Sequence, residues 1–186
     1  MANPAEDIDL DAIFQALVTG VTGLPGEFVR PRWQPKPPKQ PEHTTNWCAI
    51  GVTVQKANDG PQITYDPTID ASRYTRHEEI EVLATFYGPN AQSNAAIMRD
   101  GIAIGQNTEG LLAYDMRWFT CGEILTVPEL TNQLWIRRYD MTLGFRRKIT
   151  RLYGVLSLLS TSVHLFDDTY GVDDTIEVTQ NAPPAP

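Results

Sequence analysis

The sequence predicts a mixed α/β (α+β) fold, and three patterns carry that prediction. The longest is Leu134–Gly154, in which Trp135, Tyr139, Met141, Leu143, Phe145, Ile149 and Tyr153 recur at alternate positions. Alternate residues of a strand share one side of a sheet. The stretch therefore reads as one long strand, or two end to end, with one face on a core. Arg138, Asp140, Thr142, Arg146 and Lys148 take the other parity and make a polar, basic face, while Arg137, Arg147 and Arg151 fall on the apolar parity. The second pattern is a set of shorter strand-like segments, Asn46–Lys56, Gln62–Asp66 and Arg76–Tyr87. The third is helical: apolar residues recur with a spacing of four near the N-terminus and again over Ala91–Ile104.

In chain order, residues 1–7 are expected to be a disordered N-terminus. Asp7 or Asp9 is placed to cap a helix running to about Thr19, with Ile8, Ala12, Ile13, Ala16 and Leu17 as its apolar stripe. The acidic first turn suits the helix dipole, and Gly20, Gly23, Pro25 and Gly26 stop the helix. Five prolines from Pro31 to Pro41 exclude helix and central strand. The Pro-rich segment, residues 30–45, is either an extended linker or an arm of polyproline-like geometry. Such an arm would be anchored by Trp33 and laid across this or a neighbouring subunit.

Asn46–Lys56 puts Cys48, Ile50, Val52 and Val54 on one face; Asn58-Asp59-Gly60 signals a turn, and Gln62–Asp66 reads as the returning strand of a hairpin. After a loop, Arg76–Tyr87 points Ile80, Val82, Ala84 and Phe86 one way. Glu79 and Glu81 point the other way, towards cross-strand pairing with the basic face of Leu134–Gly154. Gly88-Pro89-Asn90 breaks this strand. Asn90 is placed to cap a helix with Ala91, Ala95, Met98 and Ile102 as its inner stripe, and a shorter helical piece starts near Asn107. Arg117–Cys121 and Ile124–Val127 read as short and irregular, with Pro128 ending regular pairing. Val155–Leu165 is apolar-rich without a clear type. Residues 8–165 are expected to form a single domain and 166–186 an acidic, proline-ended tail.

Composition narrows the function classes. Of 186 residues, 41% are hydrophobic and 20% charged, the balance of a soluble globular chain. No apolar run approaches the roughly 20 residues of a membrane span, and the N-terminus has no basic region or apolar core, so no signal peptide and no membrane partner are expected. Two distant cysteines, Cys48 and Cys121, give neither a zinc site nor a disulfide framework. The formal net charge of −8 repels free nucleic acid within about a Debye length, roughly 8 Å at physiological salt. Charge is also segregated: residues 1–29 and 160–186 contain acids and no Lys or Arg, and the central stretch 134–154 holds six of the fifteen basic residues.

The motifs that carry chemistry are weak. Gly101, Gly105 and Gly110 lack the spacing of a dinucleotide fingerprint and the Lys of a phosphate loop; a helix end needing small residues is the competing reading. Asp167, Asp168, Asp173 and Asp174 invite calcium, but the spacing is not that of an EF-hand loop. No nucleophile elbow is present, and His43, His77 and His164 are isolated. Arg146-Arg147-Lys148 looks like a phosphate grip, yet alternation sends Arg147 to the opposite face from its neighbours. No catalytic residue, cofactor or metal is predicted.

Four ordered segments resemble a known family. They are Val29-Arg30-Pro31-Arg32-Trp33-Gln34-Pro35-Lys36-Pro37-Pro38, Asn46-Trp47-Cys48-Ala49-Ile50-Gly51, Phe86-Tyr87-Gly88-Pro89-Asn90-Ala91, and Trp135–Leu143 with Arg146-Arg147 beyond it. With the helix before them, they are similar to the neck or tail terminator proteins of tailed bacteriophages, in particular the contractile-tailed group and related prophages. The match covers roughly residues 8–165. The resemblance implies a twisted mixed or antiparallel sheet flanked by a few helices, assembled as a homohexameric ring. Such a ring caps the tail tube, ends tail growth, joins the tail to the head and leaves a channel through which DNA passes without sequence-specific binding. The implied partners are further copies of this chain, the tail tube protein, the head-tail connector or neck protein and, as a further candidate, the tail sheath. The implied location is the virion, with assembly in the host bacterial cytoplasm.

On this reading Trp33, Arg137, Arg138, Asp140, Arg146, Arg147 and Arg151 are candidates for a subunit or tube interface, and the arginines are expected to pair with acids within or between subunits. Another neck adaptor or a tail-completion protein is the nearest alternative. A small enzyme built on Glu79, Glu81 and Arg137, or a binding module using the Pro-rich arm, comes from different classes.

Overall fold

The computed structural model describes residues 5–36, 38–58, 60–131, 133–155, 160–166 and 173–179. Helix α1 (Ile8–Thr22) opens it. The helix runs through Gly20, predicted to stop it, and ends at Gly23, whose φ of 72° lets its N–H reach Thr19 O at 3.0 Å. A left-handed residue at this position costs a glycine nothing and turns the chain out of the helix. Asp7 occupies the N-cap, but its side chain makes no capping hydrogen bond. The buried face is Leu10, Phe14, Leu17 and Val18, whereas Ala12 and Ala16 of the predicted stripe are exposed. The helix rolls towards its larger side chains because burial stabilises in proportion to apolar area, about 1.5–3 kcal/mol for a Phe, Leu or Val and far less for Ala.

Strand β1 (Val29–Pro31) pairs in parallel with β2 (Trp47–Ala57), an edge position that tolerates Pro31. Strand β2 then pairs antiparallel with β4 (Ala71–Tyr87), Trp47 opposite Tyr87 and Ile50 opposite Ala84. The predicted hairpin therefore does not form: β3 (Gln62–Asp66) pairs with β4. The buried row Ile80, Val82, Ala84 and Phe86 of β4 is the apolar match for Cys48 and Ile50 of β2; Gln62–Asp66 is exposed over all but its last residue and offers no such row. Asp59 of the predicted turn lies outside the described residues.

Helix α2 (Ala91–Gly101) buries Ala91, Ala95 and Met98, with Ile102 just beyond, as the spacing predicts. Asn90 does not cap it with its side chain; Asn46 Oδ1 instead accepts the Asn90 N–H at 2.8 Å. Helices α1 and α2 approach closely at Gly101, where a Cβ would stand 2.6 Å from Val21 Cγ1. Helix α3 (Gly105–Thr108) and a 3₁₀ turn over Glu109–Tyr114 lead to β5 (Met116–Cys121) and the two-residue β6 (Leu125–Thr126). Pairing resumes directly after Pro128, which was predicted to end it, as β7 (Glu129–Thr131) and β8 (Leu134–Ile136) form a separate hairpin. Proline lacks a donor only at its own position, so it delays a ladder without forbidding the next one.

The last long strand is β9 (Arg138–Gly154), so Leu134–Gly154 is two strands broken at Arg137. The main sheet runs β1-β2-β4-β9-β5, with β6 also on β9. One face carries α1 and α2 over a core that includes Phe14 against Phe145, ring centroids 4.8 Å apart. This is the predicted mixed, largely antiparallel sheet with helices.

The chain divides into two compact units, described separately. The first, Met1–Pro61 with Thr75–Thr150, contains the helices and the core. The second is Gln62–Tyr74 with Arg151–Pro186. In it Tyr74 and Tyr153 meet edge to face at 6.0 Å, and the Tyr65 hydroxyl donates to Asp70 Oδ1 at 2.7 Å. Strand β10 (Ser160–Phe166) pairs antiparallel with β11 (Asp173–Thr179), which falls inside the predicted acidic tail. Residues 1–4, 167–172 and 180–186 of the predicted disordered or acidic ends lie outside the described residues.

Candidate assembly surface

The sheet of the first unit has two chemically different faces, and β9 supplies arginines to both. Arg147 points inward, as its parity predicts, and is buried. Its guanidinium donates from Nε to Glu78 Oε1, from Nη1 to the Ala5 carbonyl, and from Nη2 to Glu6 Oε2 at 2.7 Å. Glu78, also buried, accepts in addition from Arg76 Nη2 at 3.2 Å. A buried charge costs several kcal/mol unless it is paired and hydrogen-bonded; two carboxylates and a carbonyl supply that. The Ala5 and Glu6 contacts tie the start of the chain to the sheet.

Arg146, one residue away, points outward. It donates to Glu79 Oε1 from Nε at 2.9 Å, pairs with it through Nη2 at 2.8 Å, and lies 4.3 Å from the Phe119 ring centroid. This is the predicted cross-strand pair between the acidic face of β4 and the basic face of β9. Further along β9, Arg138 makes a forked pair with Asp140, Nε–Oδ1 at 3.0 Å and Nη2–Oδ2 at 2.8 Å, and reaches Glu129 at 3.6 Å. Hydrogen bonds donated to Asp140 hold the Arg138 guanidinium above its usual pKa, and burial pushes the Tyr87 phenol up. The Tyr87 ring stacks on Trp47 at 4.2 Å, 6° from parallel, with Arg138 5.9 Å from its centroid. Arg32 donates to the buried Thr85 hydroxyl. Trp33 is 59% exposed and covers Gly51, where a Cβ would come 2.9 Å from the indole.

Arg137, between β8 and β9, is exposed; its Nη1 donates to the Pro89 carbonyl at 3.5 Å, and its own carbonyl accepts from the Gly88 N–H at 3.3 Å. Arg151 is half-buried and belongs to the second unit. Thus Arg138 and Asp140 come together, Arg146 lies elsewhere on the same face, and Arg147 faces the core. Glu79 is occupied by Arg146 and Arg137 sits beside Pro89, beyond the far end of β4, so the trio considered for an enzyme is not gathered. Burial raises the thiol pKa of Cys48 and of Cys121, which keeps both protonated and poorly nucleophilic. Among the described residues, no group of three or more His, Cys, Asp or Glu could hold a metal, and no helix is long and apolar enough to cross a membrane. Of the aspartates considered for calcium, Asp167 and Asp168 lie outside the described residues.

Two features escaped sequence reasoning. The first is a cleft of about 1000 Å³ whose wall is the α1 face carrying Ala12, Ile13, Ala16 and Leu17, closed by Leu111 and Ala113. Of the predicted stripe of α1, exposed Ala12 and Ala16 line the cleft, while Ile13 and Leu17 border it and also pack on the core. The second is the β7–β8 hairpin, where Leu130 and its cross-strand partner Trp135 are 58% and 71% exposed. Trp135 shares parity with the buried residues of β9, and the break at Arg137 separates it from them.

A sheet with one ion-paired outer face, an exposed apolar hairpin and a cleft of mixed polar and apolar lining is equipped to bind other proteins. A family model described as phage neck terminator protein matches residues 9–178, and the chain belongs to that family. It is a structural component of the phage neck in the virion and acts by contact with other head and tail proteins. No curated protein matches the chain.

Proposed function

We propose that the chain assembles as a homohexameric ring that caps the tail tube of a contractile-tailed phage, ends tube growth and joins the tube to the head connector. The observation that carries this reading is the match to the neck terminator family over 9–178. The work is structural and non-enzymatic: subunits assemble in the host cytoplasm, contact the tube protein, the connector and the sheath, and surround a channel for DNA. A net charge of −8 favours passage of DNA without adhesion.

In a closed ring each subunit offers two different patches, one to each neighbour. Trp33 and Arg137 are exposed and serve the interface directly. Arg138, Asp140 and Arg146 pre-pair on the outer sheet face, and Arg151 contributes from the second unit. Arg147 acts from within, by holding β9 against β4 and residues 5–6. The working domain is 8–165, with 30–45 as an arm and 166–186 as an accessory tail.

Light scattering and negative-stain imaging of the protein, alone and with purified tail tubes, test the reading. A six-subunit annulus, free or at one tube end, is the expected result. Tubes that keep elongating in its presence, with no annulus at either end, would overturn it. Charge reversal at Arg138 and Arg146 together is expected to impair ring assembly and head joining; unchanged assembly and joining would remove these residues from the interface.

A further inference from the structure

We infer that residues 5–7 form a strained strap, latched in this structure, that releases the start of the chain without unfolding the subunit. The latch is the buried guanidinium of Arg147, which donates to the Ala5 carbonyl and, at 2.7 Å, to Glu6 Oε2. The strain sits at Asp7, with φ 46° and ψ −113°. That pair lies outside the regions open to residues with a side chain. It is close to the first central position of a type II′ turn, about +60° and −120°, where glycine dominates. The Asp9 N–H closes this turn by donating to the Glu6 carbonyl at 3.0 Å. A non-glycine residue persists in such a conformation only where its surroundings impose it. Here Arg147 draws Ala5 and Glu6 inward on one side, and α1 begins immediately on the other.

The released state is also written into these residues. An aspartate at a helix N-cap ordinarily takes an extended backbone and accepts a first-turn N–H with its carboxylate. Latched, Asp7 makes no such bond; released, it regains both the relaxed backbone and the cap. Release does not strand Arg147, because the buried Glu78 still accepts from its Nε. Two latch contacts are thus set against strain relief and a helix cap, which is the balance of a two-state element.

The strap is coupled to the cleft. Ala5 and Arg147 both line it, beside Lys148. With the strap away, the η nitrogens of Arg147 face that space, and a carboxylate arriving there from another chain takes the place of Glu6. Occupancy of the cleft and release of the start of the chain then favour each other.

Limited proteolysis of the full chain by a glutamyl endopeptidase tests this. Cleavage between Glu6 and Asp7 needs a released, extended strap, so its rate follows the released population. Each rate is divided by that of an unfolded peptide of the same sequence, which removes the protease's own preference at position 7. Cleavage after the buried Glu78 reports global unfolding in the same digest. In the parent, cleavage after Glu6 is expected to outrun cleavage after Glu78. Asp7→Gly is expected to slow the normalised Glu6 cleavage roughly tenfold, since glycine fits the turn and cannot cap the released helix. Asp7→Asn keeps the cap and removes the charge, and is expected to stay within about twofold of the parent. Glu6 cleavage no faster than Glu78 cleavage in the parent overturns the strap. So does an Asp7→Gly rate equal to or above the parent's. Equal protection by Asp7→Asn and Asp7→Gly overturns it too, by putting acid repulsion in place of the strained turn.

Discussion

Arg146 and Arg147 are neighbours on one strand, and each binds a glutamate on the strand beside it, yet they sit in different physical worlds. Arg147 and Glu78 lie on the helix-covered face, each with a side chain 3% exposed. Arg146 and Glu79 lie on the open face, at 60% and 30% exposure. An exposed pair contributes about 0–1 kcal/mol because water and salt compete for both charges. A buried pair contributes little net stability relative to an apolar pair, but breaking it strands a charge and costs about 3–5 kcal/mol. The inner arginine is therefore costly to unpair, and the outer one is available to surfaces that approach later. What separates their roles is depth, since residue type and partner type are the same.

The largest expected effect comes from breaking the inner pair. Glu78→Leu is expected to destabilise by about 3 kcal/mol, the lower end for a buried pair, because Glu6 still holds Arg147 at 2.7 Å. Thermal or denaturant unfolding measures this, and adding Arg147→Met to Glu78→Leu is expected to recover part of the loss. If the double variant were less stable than the single one, the stranded charge would not be the cause.

Next in size is a test of whether the outer face is packed at all. At Gly144 a Cβ would collide with the Thr120 methyl and stand 3.0 Å from the Phe119 ring on which Arg146 lies. Gly144→Ala is expected to cost about 1–2 kcal/mol, the range of mild overpacking. Gly51→Ala meets the Trp33 indole at 2.9 Å and the Arg32 Cβ at 3.0 Å; the exposed indole can swing away, so its cost is expected to be smaller. Equal unfolding midpoints for the two variants would show that the face near Gly144 is loose.

A smaller effect is expected from Arg146→Ala, about 0.5–1 kcal/mol from the exposed pair and the Phe119 contact together. Most of it should vanish in 1 M salt, where the screening length falls to about 3 Å. A loss that persisted at high salt would mean that packing of the arginine stem, and not charge, is what matters.

The smallest effect concerns a carboxylate at intermediate depth. Partial burial, and then the nearby charge of Asp7, raise the pKa of Asp11 above the ordinary value. The folded state then binds more protons than the unfolded chain between the two pKa values, so stability falls as pH rises through that window and stays lower above it. Asp11→Asn is therefore expected to raise the melting temperature slightly at neutral pH. That advantage should shrink as pH falls below the unfolded value. A variant less stable than the parent at neutral pH would contradict this sign.

Much of the fold was legible in the sequence because alternation and helical spacing are local. The row Ile80, Val82, Ala84, Phe86, the stripe Ala91, Ala95, Met98, Ile102 and the opposed Glu79 and Arg146 all followed from parity. Partner choice did not, because it is decided at long range: Gln62–Asp66 took β4 where proximity suggested β2. The outer-face pair of the candidate surface was legible for the same local reason as the core rows. The cleft and the Trp135 hairpin were not, since one needs α1 rolled onto Phe14 and the other needs a strand break at Arg137 that leaves parity unchanged.

The sequence by itself determined the main helices α1 and α2 and the long strands β2, β4 and β9, which parity of β9 is apolar, and that acids on β4 oppose bases on β9. Periodicity encodes these, and periodicity is carried by neighbours in the chain. Only the tertiary structure decided that Arg147 is sealed in while Arg146 is not, and that part of the α1 stripe is left open beside the core. Depth depends on what packs above a residue, and that is set by segments far away in sequence competing to bury the most apolar area.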